Sequence, residues 1–295
     1  MQYRTLGHSE ISVSSIGMGC VTFGREIDEE TSLRIMDYAF ENGITLFDTA
    51  EAYAQGGSER VVGNWLKSRA RRDQIVLATK IKGKLTRERI ISSTESSLKR
   101  LQTDCIDLLQ THSWDESTAL EETFDSLTAL VAQGKVRCVG CSNYNAAQLA
   151  ATLKLSDQSN FSRLTSVQPP YNLVQREIET DLLPLCAREN VGVLSYSPLG
   201  AGFLTGKYRS GQSIPAGSRF DVIPGHQPIY FTDHGFRVLE ELDASAQETG
   251  LSHVQLALSW VLRQPNITSM LIGARNTSQI DQALQAMTLN ANSDM

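Results

Sequence analysis

Eight short apolar segments alternate along the chain with eight segments of helical periodicity, and this alternation predicts an α/β fold, a (β/α)8 TIM barrel. The apolar segments lack a clean two-residue alternation, which is typical of parallel strands that are buried on both faces. Eight strand–helix units favour closure into a barrel over an open sheet. Because no linker or shift of composition interrupts the 295 residues, residues 1–295 are predicted to form one domain.

The predicted elements follow one another in a regular order. The strands are predicted at 15–18, 44–48, 75–80, 105–112, 136–142, 165–168, 191–196 and 269–272. The helices are predicted at 29–42, 57–70, 86–101, 117–133, 145–154, 176–190, 233–263 and 277–286. Helix N-caps are predicted at Ser58, Thr86 and Asn145, and C-caps at Gly43, Gly134 and Gly250.

Two segments stand outside this alternation. Residues 2–14 alternate weakly around a polar turn, which predicts a short β-hairpin that caps the barrel. Residues 197–233, after the seventh strand, form a long loop rich in Gly, Pro and Ser. A connector of this length is expected to be functional or mobile.

Composition excludes some classes of protein. The formal net charge of -6 argues against nucleic acid or an anionic membrane as the main partner. The N-terminus lacks the apolar core of a signal peptide, and no run approaches the ~18 apolar residues of a membrane span, so we expect a cytoplasmic protein. The five cysteines are odd in number and lie mostly in apolar runs, which favours reduced core thiols. Cys138 and Cys141 have the spacing of a redox or zinc pair, but an offset of three on a strand points them to opposite faces.

Four titratable residues lie at the ends of three successive predicted strands. They are Asp48, Tyr53, Lys80 and His112. Taken singly, each has an ordinary interpretation: Asp48 as a cap, Lys80 as a solvated strand end, His112 as a core histidine, and Tyr53 as a surface aromatic. The C-terminal strand ends of a barrel meet at one face, however, so the four are expected to converge and to shift each other's pKa values.

This combination predicts proton transfer. A nearby Lys80 favours the phenolate of Tyr53, whose ordinary pKa is ~10, and so makes the phenol a better acid. Asp48 would hold Lys80 charged, and His112 could donate a hydrogen bond to a substrate oxygen.

Six segments in chain order resemble the aldo-keto reductase superfamily. They are Phe-Asp-Thr-Ala-Glu-Ala-Tyr (47–53), Ala-Thr-Lys (78–80), Thr-His-Ser-Trp (111–114), Gly-Cys-Ser-Asn-Tyr (140–144), Ser-Tyr-Ser-Pro-Leu (195–199) and Ile-Gly-Ala-Arg (272–275). The catalytic Asp, Tyr, Lys and His of that superfamily fall on the four residues named above. The resemblance implies a TIM barrel that binds NADP(H) without a Rossmann unit, and the chain has no intact Gly-x-Gly-x-x-Gly fingerprint.

The resemblance also assigns a nicotinamide site. It implies that Ser142, Asn143 and Gln168 hold the carboxamide and that Tyr196 stacks on the ring. It further assigns Gly19 and Cys20, at the end of the first barrel strand, and Gly273, after the last, to the cofactor site.

The cofactor phosphates are assigned to two segments. Ser197, Leu199, Gly202 and Lys207 would line the pyrophosphate, with Arg219 either at a phosphate or in solvent; Arg275 would bind the 2'-phosphate beside Gln279, which favours NADPH over NADH. Gln282 and Ala283 replace the Glu-Asn that the superfamily commonly shows, which leaves the strictness of that preference open.

The expected activity is reduction of an aldehyde or ketone, without a metal. The resemblance leaves an alternative open, a nucleotide-binding, redox-sensing subunit like the beta subunits of potassium channels. A third possibility, a metal-dependent hydrolase, is less favoured, because this chain has no second histidine at a predicted strand end. An aromatic wall of the substrate pocket is predicted from Phe23, Tyr53, Trp114 and Tyr171, although each could equally serve packing. The identity of the carbonyl substrate and the oligomeric state are left open.

Overall fold

Eight parallel strands close into a barrel in the computed structural model, which describes residues 1–291. An antiparallel hairpin of β1 (Tyr3–Thr5) and β2 (Ser12–Ser14) precedes them. The barrel strands are β3 (Ile16–Gly19), β4 (Leu46–Asp48), β5 (Val76–Ile81), β6 (Ile106–Thr111), β7 (Val136–Ser142), β8 (Ser166–Gln168), β9 (Gly192–Ser195) and β10 (Ser269–Ile272). Since β10 pairs with β3, the ring is complete, and the predicted TIM barrel with its hairpin is confirmed.

Helices surround the barrel. They are α1 (Glu29–Glu41), α2 (Gly57–Arg69), α3 (Arg87–Leu101), α4 (Leu120–Ala132), α5 (Ala146–Ser159), α6 (Leu182–Glu189), α7 (Arg219–Val222), α8 (Gln227–Tyr230), α9 (Asp233–Thr249), α10 (His253–Arg263) and α11 (Thr277–Ala291). Thr86 and Asn145 cap α3 and α5 as predicted. Ser58 is not a cap: α2 follows a left-handed Gly56, and the Ser58 hydroxyl donates to the carbonyl of Cys20. Within residues 1–291, no helix is long and apolar enough to cross a membrane.

The predicted helix 233–263 is two helices. Gly250, with φ 71°, ends α9 in the left-handed conformation that glycine adopts without strain, as its predicted C-cap position required. Ser252 then begins α10 with a capping box to Gln255. The apolar periodicity ran across the break and concealed it.

The long loop after β9 has a small core of its own. Phe203 stacks on Tyr208 and Tyr230 at centroid distances of 6.0 and 5.6 Å, and Phe220 meets Phe203 edge-on. The cluster continues into α9 through Val238. The loop is therefore held by packing, and its helices α7 and α8 belong to this packed unit.

The barrel interior is layered. Leu46, Ala78 and Leu108 belong to an apolar cluster that the hairpin closes from below. Because strand side chains alternate, the residues two positions further on also point inward, and on these three strands they are polar: Asp48, Lys80 and Gln110. A buried polar layer thus rests on an apolar floor at the C-terminal end of the barrel.

The cysteine pair of β7 faces two ways. Cys138 packs against the apolar cluster inside the barrel, whereas Cys141 belongs to the cluster between the strands and the helices. This confirms that the offset of three sends the two thiols to opposite faces. Both are free thiols.

Candidate active site

Asp48 and Lys80 form a buried ion pair at the top of the barrel. Lys80 Nζ lies 2.5 Å from Asp48 Oδ2 and donates to the carbonyl of Thr49 at 2.9 Å. Both side chains are at most 3% exposed. Burial favours the neutral amine, but the charge of Asp48 and the hydrogen bonds that Lys80 donates to Asp48 and Tyr53 outweigh it and raise the pKa of Lys80. Lys80 is therefore a fixed cation below the mouth of the barrel.

Tyr53 lies directly over this cation. The next three residues, Ala54, Gln55 and Gly56, adopt left-handed backbone conformations, which turn the chain back from β4 into α2. Lys80 Nζ lies 3.3 Å from Tyr53 Oη. The predicted convergence of the two residues is thus observed.

The pKa of Tyr53 departs from the simple expectation. Burial raises this pKa, and the opposing effect of Lys80 is smaller, so the pKa lies above the ordinary value of the phenol. Lys80 does lower the pKa of Tyr53, as expected. The expectation that the pKa as a whole would be lowered is wrong, because burial has the larger effect. Tyr53 therefore keeps its proton at neutral pH, as a proton donor must.

His112 faces Tyr53 across the mouth. Its backbone N–H donates to Ile81 at the end of β5, and its ring meets the Tyr53 ring edge-on at a centroid distance of 5.8 Å. Burial, followed by the charge of Lys80, lowers the pKa of His112 to about 4. Nδ1 of His112 is buried without a hydrogen-bond partner among the described residues. Because a proton on Nδ1 would find no acceptor there, this environment favours the neutral tautomer that carries its proton on Nε2.

This low pKa predicts a pH dependence of stability. Between pH 6.5 and 4, His112 is protonated in the unfolded chain and neutral in the folded protein. The free energy of unfolding should therefore decrease as the pH is lowered from 6.5 to 4. After allowance for partial exposure, we expect a contribution on the order of 2 kcal/mol. Urea unfolding of His112→Ala at pH 7 and pH 4.5 should show a smaller difference than the native protein. His234→Ala removes an exposed histidine and should leave this difference in unfolding free energy unchanged. The same difference in all three proteins would contradict the low pKa of His112.

The second oxygen of Asp48 accepts two amide hydrogen bonds. Gln110 Nε2 lies 3.1 Å and Gln168 Nε2 3.0 Å from Asp48 Oδ1. Gln110 was missed by the sequence analysis. A signal was present, because Gln110 lies two positions before His112 and therefore on the same face of the chain at the end of β6.

The residues assigned to the nicotinamide carboxamide form one network. Ser142 Oγ donates to the carbonyl of Gln168, and Asn143 Nδ2 donates to the carbonyl of His112. Tyr196 Oη donates to Asn143 Oδ1 at 2.7 Å, and burial raises the pKa of Tyr196 to about 12. The four residues are thus brought together beside the Tyr53–His112 pair.

The segment assigned to the pyrophosphate is a series of tight turns. Ser197 has φ 55°, and its carbonyl accepts from Asn172 Nδ2. The carbonyl of Leu199 accepts from the N–H of Gly202. A Cβ on Gly202, where φ is 90°, would lie 3.7 Å from Lys207 Nζ, which makes no ion pair with any described residue. The ammonium group also lies 5.3 Å from the centroid of the Tyr208 ring. Without a carboxylate partner and beside glycine backbone, it suits an anion.

Arg219 lies elsewhere. Arg219 Nη1 donates to Glu26 Oε1 at 2.7 Å, so it joins the long loop to the loop after β3. Its predicted alternatives were a phosphate contact or a solvated position, and in this structure its partner is a carboxylate. Glu26 also pairs with Arg25.

The residues after β10 leave one cation free. Gly273 has open space around its Cβ position, and Gln279 Oε1 accepts from the backbone N–H of Arg275. The exposed Arg275 guanidinium makes no hydrogen bond or ion pair with the described residues. Of the two altered positions, Gln282 is exposed and Ala283 is buried in the core.

Two residues of the predicted aromatic wall do not face a pocket in this structure. Phe23 and Tyr171 are fully buried, and a side chain without exposed surface cannot line an open pocket. Phe23 packs in the main core, while Tyr171 packs on Trp260 and donates to Glu179. Trp114 is partly exposed.

The end of β3 contributes backbone rather than side chains. A Cβ on Gly19 would lie 3.3 Å from the carbonyl of Ile272. The Cys20 thiol is fully buried, and burial raises its pKa well above the usual range. The N–H and C=O of Cys20 bond to Asp48 and Ser58, so neither is free for a ligand in this structure.

Known proteins are similar to this chain over nearly its whole length. The profile of the Aldo/keto reductase family matches residues 15–295. A probable voltage-gated potassium channel subunit beta of Arabidopsis thaliana is 34% identical, covering 97% of this chain and 91% of the relative. Protein tas of Escherichia coli is 33% identical, covering 100% and 95%. Aldo-keto reductase YhdN of Bacillus subtilis is 34% identical, covering 99% and 91%. The chain therefore belongs to the aldo/keto reductase family and is an oxidoreductase by that membership.

Proposed function

We propose that this protein reduces a small-molecule aldehyde or ketone to an alcohol with NADPH, and that neither nucleic acid nor a membrane is its partner. The observation that carries the proposal is the position of Tyr53 Oη, 3.3 Å from the buried Lys80 cation and across the mouth from a neutral His112. A carbonyl oxygen in this mouth would meet two donors over a fixed positive charge.

The residues of the mouth suit the chemistry of the cofactor. The carboxamide would meet Ser142, Asn143 and Gln168, and the two unpaired cations Lys207 and Arg275 match its phosphates. When bound, NADPH supplies the hydride. Tyr196 offers an aromatic face for the nicotinamide ring.

The chain itself supplies the proton. His112 Nε2–H orients the carbonyl oxygen, and Tyr53 Oη donates its proton to the oxygen as negative charge develops there. Lys80, held by Asp48, stabilises the phenolate left behind. Because an alkoxide is a far stronger base than a phenolate, the raised pKa of Tyr53 does not oppose this transfer.

The proposed activity can be measured directly. Steady-state oxidation of NADPH with 4-nitrobenzaldehyde should continue over many turnovers and form the alcohol in equal amount. The same assay with NADH tests the cofactor preference. Absence of turnover with a broad panel of aldehydes and ketones, although NADPH binds, would contradict the proposal.

Arg275 is expected to determine the preference for NADPH. Arg275→Met should raise the Kd of NADPH roughly 10- to 100-fold, because charge-assisted hydrogen bonds to the 2'-phosphate are lost, and should leave the Kd of NADH unchanged. Binding is followed by quenching of tryptophan fluorescence. Arg34→Met, which removes an exposed arginine of α1, should change neither value. Equal weakening of both nucleotides by Arg275→Met would place the contact elsewhere.

A second candidate is a nucleotide-binding regulatory subunit. The 34% identity to the probable channel beta subunit of Arabidopsis thaliana favours it. Such a protein would oxidise bound NADPH slowly and once, whereas an enzyme exchanges its cofactor and continues. Rapid mixing of NADPH-loaded protein with aldehyde, followed by addition of excess NADPH, distinguishes the two.

A further inference from the structure

Gln110 connects two parts of the candidate site. It is fully buried in the layer below the mouth. Its Nε2 donates to Asp48 Oδ1, and its Oε1 accepts from Gln168 Nε2 at 3.3 Å. Gln110 therefore touches both the carboxylate that holds Lys80 and the amide assigned to the cofactor carboxamide.

The charge of Asp48 determines how both amides are oriented. An ionised carboxylate accepts hydrogen bonds and cannot donate them, so Gln110 and Gln168 must both present N–H groups to Asp48 Oδ1. Because the NH2 of Gln110 points to Asp48, its Oε1 is available to accept a hydrogen bond from the second N–H of Gln168. The orientation follows from charge and does not depend on distinguishing amide oxygen from nitrogen.

Gln168 is then left with one free group. Both of its N–H groups point inward, to Asp48 and Gln110, and its Oε1 accepts no hydrogen bond from the described residues. A free amide oxygen is an acceptor. It suits a ligand group that donates, such as the NH2 of a primary carboxamide.

The space for Gln110 comes from Gly140 on the next strand. A Cβ on Gly140 would lie 2.6 Å from Ser166 Oγ and 3.2 Å from Gln110 Cγ. Ser166 Oγ is buried beside it without a hydrogen-bond partner among the described residues. Ser166 thus borders the same space but takes no part in the amide network.

We propose that Gln110 is a positioning residue, which holds the amide of Gln168 with its oxygen outward and so selects the carboxamide NH2 of the nicotinamide. The proposal rests on the proposed function, since it assumes that the mouth takes a nicotinamide nucleotide. Gln110 acts through Gln168 and Asp48 and does not itself touch the ligand.

Two cofactor analogues test this by binding alone. In 3-acetylpyridine adenine dinucleotide phosphate, a methyl group replaces the carboxamide NH2. The native protein should bind it roughly 5- to 10-fold more weakly than NADP⁺, because one hydrogen bond is lost. Gln110→Met keeps the volume and removes both hydrogen bonds of Gln110, so the Gln168 amide retains only its bond to Asp48 and can pivot about it. The ratio of the two Kd values should then fall below about twofold.

The ratio separates positioning from a general effect on structure. A merely structural role would weaken both nucleotides equally and leave the ratio unchanged. Ser166→Ala, in the same space, should keep the native ratio. An unchanged ratio in Gln110→Met, or the same fall in Ser166→Ala, would overturn the proposal.

A measurement on the native protein guards against a misfolded variant. The nicotinic acid analogue of NADP⁺ carries a carboxylate in place of the carboxamide and presents only acceptors. It should bind more than about 10-fold more weakly than NADP⁺ if Gln168 Oε1 points outward. Equal or tighter binding would overturn the proposed orientation. If the native protein binds no NADP⁺, the proposed function fails and this proposal with it; if it discriminates as expected and Gln110→Met does too, only this proposal fails.

Discussion

Replacing Tyr53 with phenylalanine is expected to lower kcat for aldehyde reduction by about 10³-fold or more. The variant keeps the aromatic ring beside His112 and removes the proton that Tyr53 is proposed to donate to the substrate oxygen. The Kd of NADPH should change by less than about twofold, because the hydroxyl is bonded to Lys80 and makes no hydrogen bond with the described residues assigned to the cofactor. Single-turnover rates and fluorescence titration measure the two quantities separately.

Tyr171→Phe is the matched control for this variant. It removes another buried phenol, whose hydroxyl donates to Glu179. Since the Tyr171 side chain packs on Trp260 and contacts none of the four titratable residues through a hydrogen bond, kcat should stay within about twofold of the native value, and stability should fall by about 1 kcal/mol. A Tyr53→Phe variant with native turnover would show that another group donates the proton.

Replacing Lys80 with methionine is expected to lower the free energy of unfolding by about 3–5 kcal/mol and to abolish turnover. The loss is large because the variant leaves Asp48 buried without its cation, and an unpaired buried charge costs more than the pair contributes. Urea unfolding measures the first effect, and aldehyde reduction measures the second.

A double variant distinguishes charge from packing. Asp48→Asn with Lys80→Met removes both charges, so it should recover about 2 kcal/mol of the lost stability and remain inactive. Lys82→Met removes an exposed lysine just beyond the same strand and should change stability by less than about 0.5 kcal/mol. If Lys80→Met were as stable as Lys82→Met, the buried pair would not have the predicted importance.

The fold could be predicted because its signal is local. Apolar runs and helical periodicity follow from neighbours in the chain, and all eight predicted strands are present with shifts of a few residues at their ends. The prediction of a single helix over 233–263 was wrong because it relied on the same local signal. The apolar pattern continued past Gly250, where α9 ends, and into α10, which begins with the capping box at Ser252.

The candidate site divides in the same way. Asp48, Lys80 and His112 could be placed together from the sequence, since parallel strands bring their C-terminal ends to one face. Phe23 and Tyr171 could not be placed, because being aromatic does not say whether a ring faces the mouth or the core. Gln110 was overlooked because its importance comes from its partners on β4 and β8.

The sequence by itself determined the barrel and the four titratable residues at the strand ends, since both follow from order and spacing along one chain, and its six segments carried the resemblance to the family. Tertiary structure alone decided the direction of the Tyr53 pKa, the neutral state of His112 and the orientation of the Gln168 amide. These properties depend on burial and on hydrogen-bond partners, and both are supplied by residues that are distant in the chain and adjacent only after folding.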